Sequence, residues 1–149
     1  MSSPKTNDVC QGLARVLSDT YVLYLKTQNY HWNVKGQLFH SLHALFEEQY
    51  TELSEAVDQI AERIRMLGHN APGSFKAFAS LASLKEAEGD DEAMTMVKTL
   101  AADQKKIEAV IQESFKLAAD AGDDVTLDLL TGRLAAHQKN HWMLSALAA

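Results

Sequence analysis

Side chains that could bind a metal ion are concentrated in one stretch of the sequence. Imidazole nitrogen combined with carboxylate oxygen suits first-row metals such as iron, and zinc is a second candidate. His43 and Glu47 are four positions apart and so share one face of a helix, as do Asp58 and Glu62. With the earlier His31, these residues predict a metal centre.

The spacing of these residues limits how they can combine. His31 and His43 lie on either side of a break in the helical pattern at Gly36, so antiparallel folding brings both imidazoles to a similar height. Asp58 lies 15 positions after His43 on the same predicted helix, which is about 22 Å along its axis. Metal–ligand bonds are about 2 Å long, so the histidines and the distant carboxylates of one chain cannot hold one ion. Either the chain has two weak sites, or a second subunit brings its Asp58 and Glu62 to these histidines, as an isologous dimer would do twice.

Simpler interpretations remain open on spacing alone. A histidine near a helix end is often a polar core or capping residue. Asp58 and Glu62 could form a solvated ion-pair face with Arg63 and Arg65. An intrachain di-iron core of the ordinary ferritin kind is disfavoured, because no glutamate in the sequence has a histidine three positions later.

A second pair of histidines, His137 and His141, also has the spacing of metal ligands on a helix. Gln138 follows His137, where the zinc proteases have the glutamate of the His-Glu-x-x-His motif. We therefore expect these two histidines to be polar residues on a helix surface.

The composition is that of one globular domain. With 149 residues, 46% of them hydrophobic, the chain predicts a single domain over 1–149 with a short flexible segment over 1–8. The net charge of −6 and the lack of clustered bases disfavour nucleic-acid binding. Cys10 is the only cysteine and cannot form an internal disulfide, which favours a reducing, cytoplasmic location. No apolar run of about 18 residues exists, so no membrane span is expected.

Hydrophobic residues recur every three or four positions through most of the sequence, which predicts an all-α fold. Four long helices with a short helix in the long connection between the second and third describe a four-helix bundle. Asp90 or Asp91 is the expected N-cap of the third long helix, and Asp123 or Asp124 opens the fourth. The predicted helices extend over about 9–35, 38–67, 74–84, 91–119 and 124–147.

The segment HWNVKG, from His31 to Gly36, begins a set of residues that resembles the Dps family. These proteins are the dodecameric mini-ferritins, also described as starvation-induced DNA-protecting proteins. The resemblance continues through the 12-residue step to His43 and the Asp-x-x-Ala-Glu-Arg sequence that begins at Asp58. Further matching residues, which extend the resemblance over nearly the whole chain, are Phe39, Leu42, Phe46, Tyr50, 123–126, 128–129, Trp142 and Met143.

The resemblance implies a ferritin-like four-helix bundle and an iron site between two subunits of a homododecameric hollow shell. His31, His43 and the residue at 47 would come from one subunit, and Asp58 and Glu62 from its twofold mate, in agreement with the length argument. Each site would have two iron positions, the second weaker, with zinc as a competitor. The family usually has aspartate where this sequence has Glu47, so the arm that would hold the second iron is one methylene longer.

Three aspartates, Asp120, Asp124 and Asp128, recur every four residues across the start of the fourth long helix. As N-cap and first-turn carboxylates they would be favoured by the helix dipole. The resemblance implies instead an acidic pore on a threefold axis through which iron enters, with Asp124 and Asp128 at the family's pore positions and Asp120 as our extension. Trp32, next to His31, could be a core residue, and the resemblance implies that it also takes up oxidising equivalents.

The resemblance implies a ferroxidase-type protein that oxidises Fe(II) to Fe(III), preferentially with hydrogen peroxide, and stores ferric mineral. It would thereby protect DNA and the cell from oxidative damage. The alternative is a DNA-compacting nucleoid protein in which iron storage is secondary. Members that bind DNA usually use a flexible tail rich in lysine and arginine, and neither end of this sequence is rich in them. We therefore expect weak or absent DNA binding.

Overall fold

A computed structural model of the chain describes residues 3–149, which contain five helices and no strand. The first two long helices form one antiparallel hairpin and the last two form another. The first helix packs against both the second and the fourth, so the two hairpins close into a bundle. The predicted all-α bundle with a short helix in its long connection is confirmed. The helices are α1 (Pro4–Asn33), α2 (Phe39–Met66), α3 (Phe75–Leu81), α4 (Ala93–Asp120) and α5 (Asp124–Ala148).

Helix α1 begins earlier than the hydrophobic pattern indicates. The Ser3 hydroxyl accepts a hydrogen bond of 3.1 Å from the backbone N–H of Thr6, and Pro4 occupies the first turn, where its missing N–H costs nothing. Residues 4–8 of the segment predicted to be flexible are thus helical, because a local cap starts the helix before its first buried residue. Met1 and Ser2 lie outside the described residues.

The connection between α2 and α4 is tied to α1 by buried polar side chains. The carboxylate of Asp19 accepts hydrogen bonds from the backbone N–H groups of Ser83 and Leu84, at 2.7 and 2.9 Å. These two N–H groups are therefore not used in a helix, which explains why α3 ends at Leu81 and not at the predicted 84. Lys26 donates to the backbone carbonyl of Lys85 at 2.8 Å, one residue further along.

The start of α4 differs from the prediction that Asp90 or Asp91 caps it. Asp91 accepts a hydrogen bond of 3.1 Å from the hydroxyl of Tyr30 on α1, so its carboxylate is engaged across the bundle. The N-cap residue of α4 is Glu92, whose side chain makes no capping hydrogen bond. A long-range partner thus moves the beginning of this helix by one or two residues.

The interior of the bundle also contains a buried histidine that sequence reasoning placed on the surface. His137 is fully buried: its Nδ1 donates to the Gln104 side-chain oxygen at 2.7 Å, and its Nε2 accepts from Arg133 at 3.2 Å. Arg133 in turn pairs with Glu52, so the network joins α4, α5 and α2. The expectation that His137 lies on a helix surface is wrong, because the hydrophobic pattern does not reveal which polar residues find hydrogen-bond partners in the interior. The neighbouring His141 is half-buried and bonds to the carbonyl of Ala101 at 2.9 Å.

Burial, together with the nearby Arg133 charge, lowers the pKa of His137 from 6.5 to about 3. Below pH 6.5 the unfolded chain therefore binds a proton that the folded chain rejects. The contribution of His137 to the free energy of unfolding should therefore fall by about 1.4 kcal/mol for each unit by which the pH is lowered between these two pKa values. Denaturant unfolding of the His137→Gln variant should show a shallower fall than the parent over this range, at equal protein concentration. Equal slopes for the parent and His137→Gln would contradict a neutral, buried His137.

Candidate metal centre

The last turn of α1 and the first turns of α2 are joined by two histidines that bond to each other's backbone. Nδ1 of His31 donates to the carbonyl of His43, and Nδ1 of His43 donates to the carbonyl of His31, both at 2.7 Å. The two rings stack with centroids 3.7 Å apart and planes 14° from parallel. Gly36, with φ of 104°, allows the tight reversal between the helices that makes this pairing fit. The predicted equal height of the two imidazoles is thus observed.

These hydrogen bonds determine which nitrogen of each ring is protonated. A carbonyl oxygen can only accept, so Nδ1 of both rings carries the hydrogen and Nε2 of each neutral ring keeps its lone pair. Metal-binding histidines almost always donate their other N–H to a carbonyl or carboxylate in this way. The His31 carbonyl lies in the last turn of α1, where helix carbonyls lack an intrahelical partner, so the His43 bond also completes the end of that helix. Both rings are therefore oriented to bind a metal ion through Nε2.

One carboxylate lies beside the histidine pair. The Oε1 atom of Glu47, on an exposed side chain, is 3.7 Å from Nε2 of His31. Two aromatic rings enclose the pair: Tyr50 meets His31 edge-on at a centroid distance of 5.2 Å, and Phe39 stacks on His43 at 4.9 Å. These rings pack against the imidazoles, and the exposed Glu47 lies on the Nε2 side of His31.

The other two predicted ligands are not near the histidines. Asp58 and Glu62 are exposed on the same continuous helix, and Asp58 is about 22 Å further along it than His43. Across residues 3–149, no three histidine, cysteine or acidic side chains gather closely enough to hold a metal ion. One chain therefore presents two separate groups of donors, each incomplete.

The alternative in which Arg63 and Arg65 form ion pairs with Asp58 and Glu62 is not observed. Arg63 donates to Asp123 and to the Thr126 hydroxyl, both at 2.9 Å, and so joins α2 to the start of α5. Arg65 turns back to the carbonyl of His69, at 3.0 Å, and to the side chain of Asn70. Neither arginine is hydrogen-bonded to Asp58 or Glu62, whose carboxylates are left facing outward.

The three aspartates of the predicted pore lie on two different helices. Asp120 is the last residue of α4, and its carboxylate is 3.8 Å from the ammonium of Lys5. Asp124 begins α5 and Asp128 follows one turn later, both exposed on one face. The chain reverses at Gly122, between Asp120 and the other two. The N-cap itself is Asp123, which accepts from the N–H of Thr126 at 3.1 Å.

The aromatic residues near the site differ from those that the sequence singles out. Trp32 is 61% exposed and Trp142 is 66% exposed, so neither is a core residue. The ring that contacts His31 is Tyr50, which sequence reasoning did not assign to the site. The signal was present in the spacing, since Tyr50 follows His43 by seven positions and so lies two turns along the same helix face.

Comparison with known proteins agrees with this architecture. Residues 10–149 match the family described as a ferritin-like domain. A Bacillus anthracis protein named DNA protection during starvation protein 2 is 35% identical over 138 residues, which are 93% of this chain and 94% of that protein.

Solved structures give the same result. The crystal structure of a Dps protein from Bacillus brevis superposes with a TM-score of 0.97 at 35% identity, over 100% of both chains. A Dps protein from Vibrio cholerae O1, described as belonging to a superfamily of ferritin-like diiron-carboxylate proteins, superposes with a TM-score of 0.93 at 30% identity. That match covers 97% of this chain and 91% of the other. No helix within residues 3–149 is long and apolar enough to cross a membrane.

The reciprocal hydrogen bonds predict that both His31 and His43 are in the Nδ1–H tautomer without metal. Solid-state ¹⁵N NMR of the metal-free protein should show both residues, in their neutral form, with a protonated Nδ1 and an unprotonated Nε2. His31→Gln and His43→Gln variants would assign the signals, and each substitution should also perturb the other ring. An unprotonated Nδ1 on either residue would contradict the arrangement.

Proposed function

Because this chain belongs to the Dps proteins of the ferritin-like family, we propose that it oxidises Fe(II) and stores the ferric product inside a shell of its own copies. By removing iron and peroxide, it protects DNA and the cell from oxidative damage. The observation that carries this proposal is the stacked pair His31 and His43, with both Nε2 atoms free to bind metal. Iron is here a substrate and a cargo, and hydrogen peroxide is the preferred oxidant.

The incomplete donor set of one chain supports a site shared between two subunits. His31, His43 and Glu47 form one half, and Asp58 and Glu62 of a twofold-related subunit form the other. If two copies of α2 packed antiparallel, the histidine end of each helix would lie beside the carboxylate end of the other. The twofold axis would then generate two such sites. Phe39 and Trp32, at the same end of the hairpin as the histidines, are exposed and would add apolar surface to the contact.

The two halves of the site supply different chemistry. Neutral imidazole nitrogens bind Fe(II) without adding charge, whereas carboxylates stabilise the higher charge of Fe(III) and so favour oxidation. Glu47 would serve the second, weaker iron position, which its longer side chain reaches differently from the family's usual aspartate. Zinc, which accepts the same nitrogen and oxygen ligands, would compete for the site.

Charge argues against DNA compaction as the main function. The chain carries a net charge of −6, and assembly into the proposed homododecamer multiplies that charge, which opposes contact with phosphates. DNA binding should therefore be weak or absent, and protection chemical. The one cysteine, Cys10, is free and buried, which suits the reducing cytoplasm that we propose as the location.

The shared site predicts complementation between two inactive proteins. A His31→Ala/His43→Ala variant and an Asp58→Ala/Glu62→Ala variant should each oxidise Fe(II) poorly. After joint dissociation and reassembly in equal amounts, about a quarter of the sites should be intact, because each site draws its halves from two chains. Stopped-flow measurement of Fe(II) oxidation with peroxide should show this recovery.

The matched control for complementation mixes His31→Ala with His43→Ala. Both of these defects fall in the same half of the site, so their mixture should recover nothing. Absence of recovery in the first mixture, with mixed assembly verified by mass spectrometry, would contradict the shared site.

We also propose that Asp124 and Asp128 guide iron into the shell through an acidic opening. Asp120 contributes less to it, since Lys5 offsets its charge.

In Asp124→Asn/Asp128→Asn, iron uptake should slow most at low ionic strength, where screening is weakest. The cost in stability should be about 0.3–1 kcal/mol per residue, so the shell should assemble. Uptake kinetics at two salt concentrations measure the effect. The control Asp8→Asn/Glu113→Gln removes the same charge elsewhere, and equal rates for both double variants would contradict the assignment.

A further inference from the structure

Met66, the last residue of α2, is the most exposed methionine within residues 3–149. It is 72% exposed, whereas Met96 is buried and Met94 and Met143 are half-buried. Met66 also borders a cavity of about 210 Å³ that lies between α2 and α5. A small oxidant can therefore reach this thioether from solvent.

The guanidinium of Arg63 is fixed beside this sulfur. Its Nε donates to the Thr126 hydroxyl and its Nη2 to the Asp123 carboxylate, both at 2.9 Å, so the group is held at two points. The other terminal nitrogen, Nη1, lies 3.8 Å from Sδ of Met66 and donates to it. A thioether is only a weak acceptor. The fold thus holds a cationic N–H donor, with a weak partner, next to an exposed sulfur.

Oxidation of the sulfur would give this donor a strong partner. A methionine sulfoxide carries a polar oxygen, and hydrogen bonds from a guanidinium are stronger than those between neutral groups. The added oxygen can accept from Nη1 of Arg63 while Nε and Nη2 keep their bonds to Thr126 and Asp123. A sulfoxide on the buried Met96 would instead place a polar group in the core. Met66 is therefore the methionine whose oxidation the fold accommodates.

We propose that hydrogen peroxide oxidises Met66 to its sulfoxide, and that Arg63 selects one of the two sulfoxide epimers. The sulfur attacks one peroxide oxygen, the O–O bond breaks, and the departing hydroxide takes the proton of the transferred oxygen. The balanced step is R₂S + H₂O₂ → R₂SO + H₂O, in which sulfur loses two electrons and peroxide gains them. No iron takes part, so this reaction goes beyond the proposed function and is tested separately from it.

Arg63 can select an epimer because the sulfur of a sulfoxide is a stereocentre. In an unfolded chain both lone pairs of the thioether are equally open to attack. In the folded chain Nη1 lies on one side of Sδ, where it favours the product whose oxygen it can bond. Reductases of methionine sulfoxide each accept one epimer. Formation of a single epimer would therefore let one reductase restore the whole population of Met66.

The experiment treats the assembled protein, stripped of iron with a chelator, with hydrogen peroxide and follows each methionine by peptide mass spectrometry. Met66 should be oxidised severalfold faster than Met94 and Met143, which serve as references in the same chain. The Met66 peptide is then offered to each of the two epimer-specific reductases. One enzyme should reduce most of the sulfoxide made in the folded protein. Protein oxidised in denaturant should give nearly equal parts of both epimers.

Arg63→Lys tests the group that selects the epimer. Lysine keeps the charge, but its single ammonium cannot hold Asp123 and the sulfoxide in the same geometry, so the excess of one epimer should fall severalfold. Arg65→Lys is the matched control. It removes a guanidinium from the same turn of α2 that bonds to His69 and Asn70, and it should keep the parent's excess.

The stability of the oxidised protein provides a further measurement. Because the sulfoxide gains a hydrogen bond, peroxide treatment should lower the midpoint of thermal unfolding of the parent no more than that of Met66→Leu. A larger fall in the parent would overturn the proposed bond to Arg63.

Oxidation of Met66 no faster than that of Met94 and Met143 would overturn the proposal. Equal amounts of the two epimers in the folded parent, or an unchanged excess in Arg63→Lys, would overturn the selection by Arg63. The comparison of folded with denatured parent applies even if the Arg63 variant fails to fold. None of these results bears on the iron site, because the reaction is measured without iron.

Discussion

The reciprocal hydrogen bonds between His31 and His43 are the interaction on which the rest of the site depends. They join the end of α1 to the start of α2, complete a carbonyl that the helix end leaves without a partner, and fix both rings in one tautomer. Because both Nδ1 atoms are committed to the backbone, the two Nε2 atoms are the ring nitrogens that remain as metal donors. The backbone of a helical hairpin thus prepares a pair of nitrogen donors before any metal binds.

The length of α2 then makes assembly a chemical requirement under the proposed function. A single helix separates the histidines from Asp58 and Glu62 by more than any metal site spans, and neither group is complete by itself. A twofold contact resolves this constraint because it brings opposite ends of the same helix together. In this account the iron site and the subunit interface are one feature of the molecule.

Local patterns in the sequence predict the helices and the equal height of the two histidines, because a helix fixes the spacing of its own residues. Contacts between distant segments explain the residues whose structural roles were predicted incorrectly. The carboxylate of Asp91 bonds to Tyr30 and therefore does not cap α4. His137 is buried because Gln104 and Arg133 provide hydrogen-bond partners for its two ring nitrogens. Tyr50 illustrates the intermediate case: its helix face was predictable, but its contact with His31 depends on how α1 and α2 pack.

The shared iron site is tested most directly by diffraction from crystals of the assembled protein soaked anaerobically with Fe(II), with data collected at the iron absorption edge. The account predicts an anomalous peak within bonding distance of Nε2 of His31 and His43 in one subunit and of the carboxylates of Asp58 and Glu62 in its twofold mate. An iron peak whose ligands all come from one subunit, or no peak beside the histidines at saturating Fe(II), would contradict it.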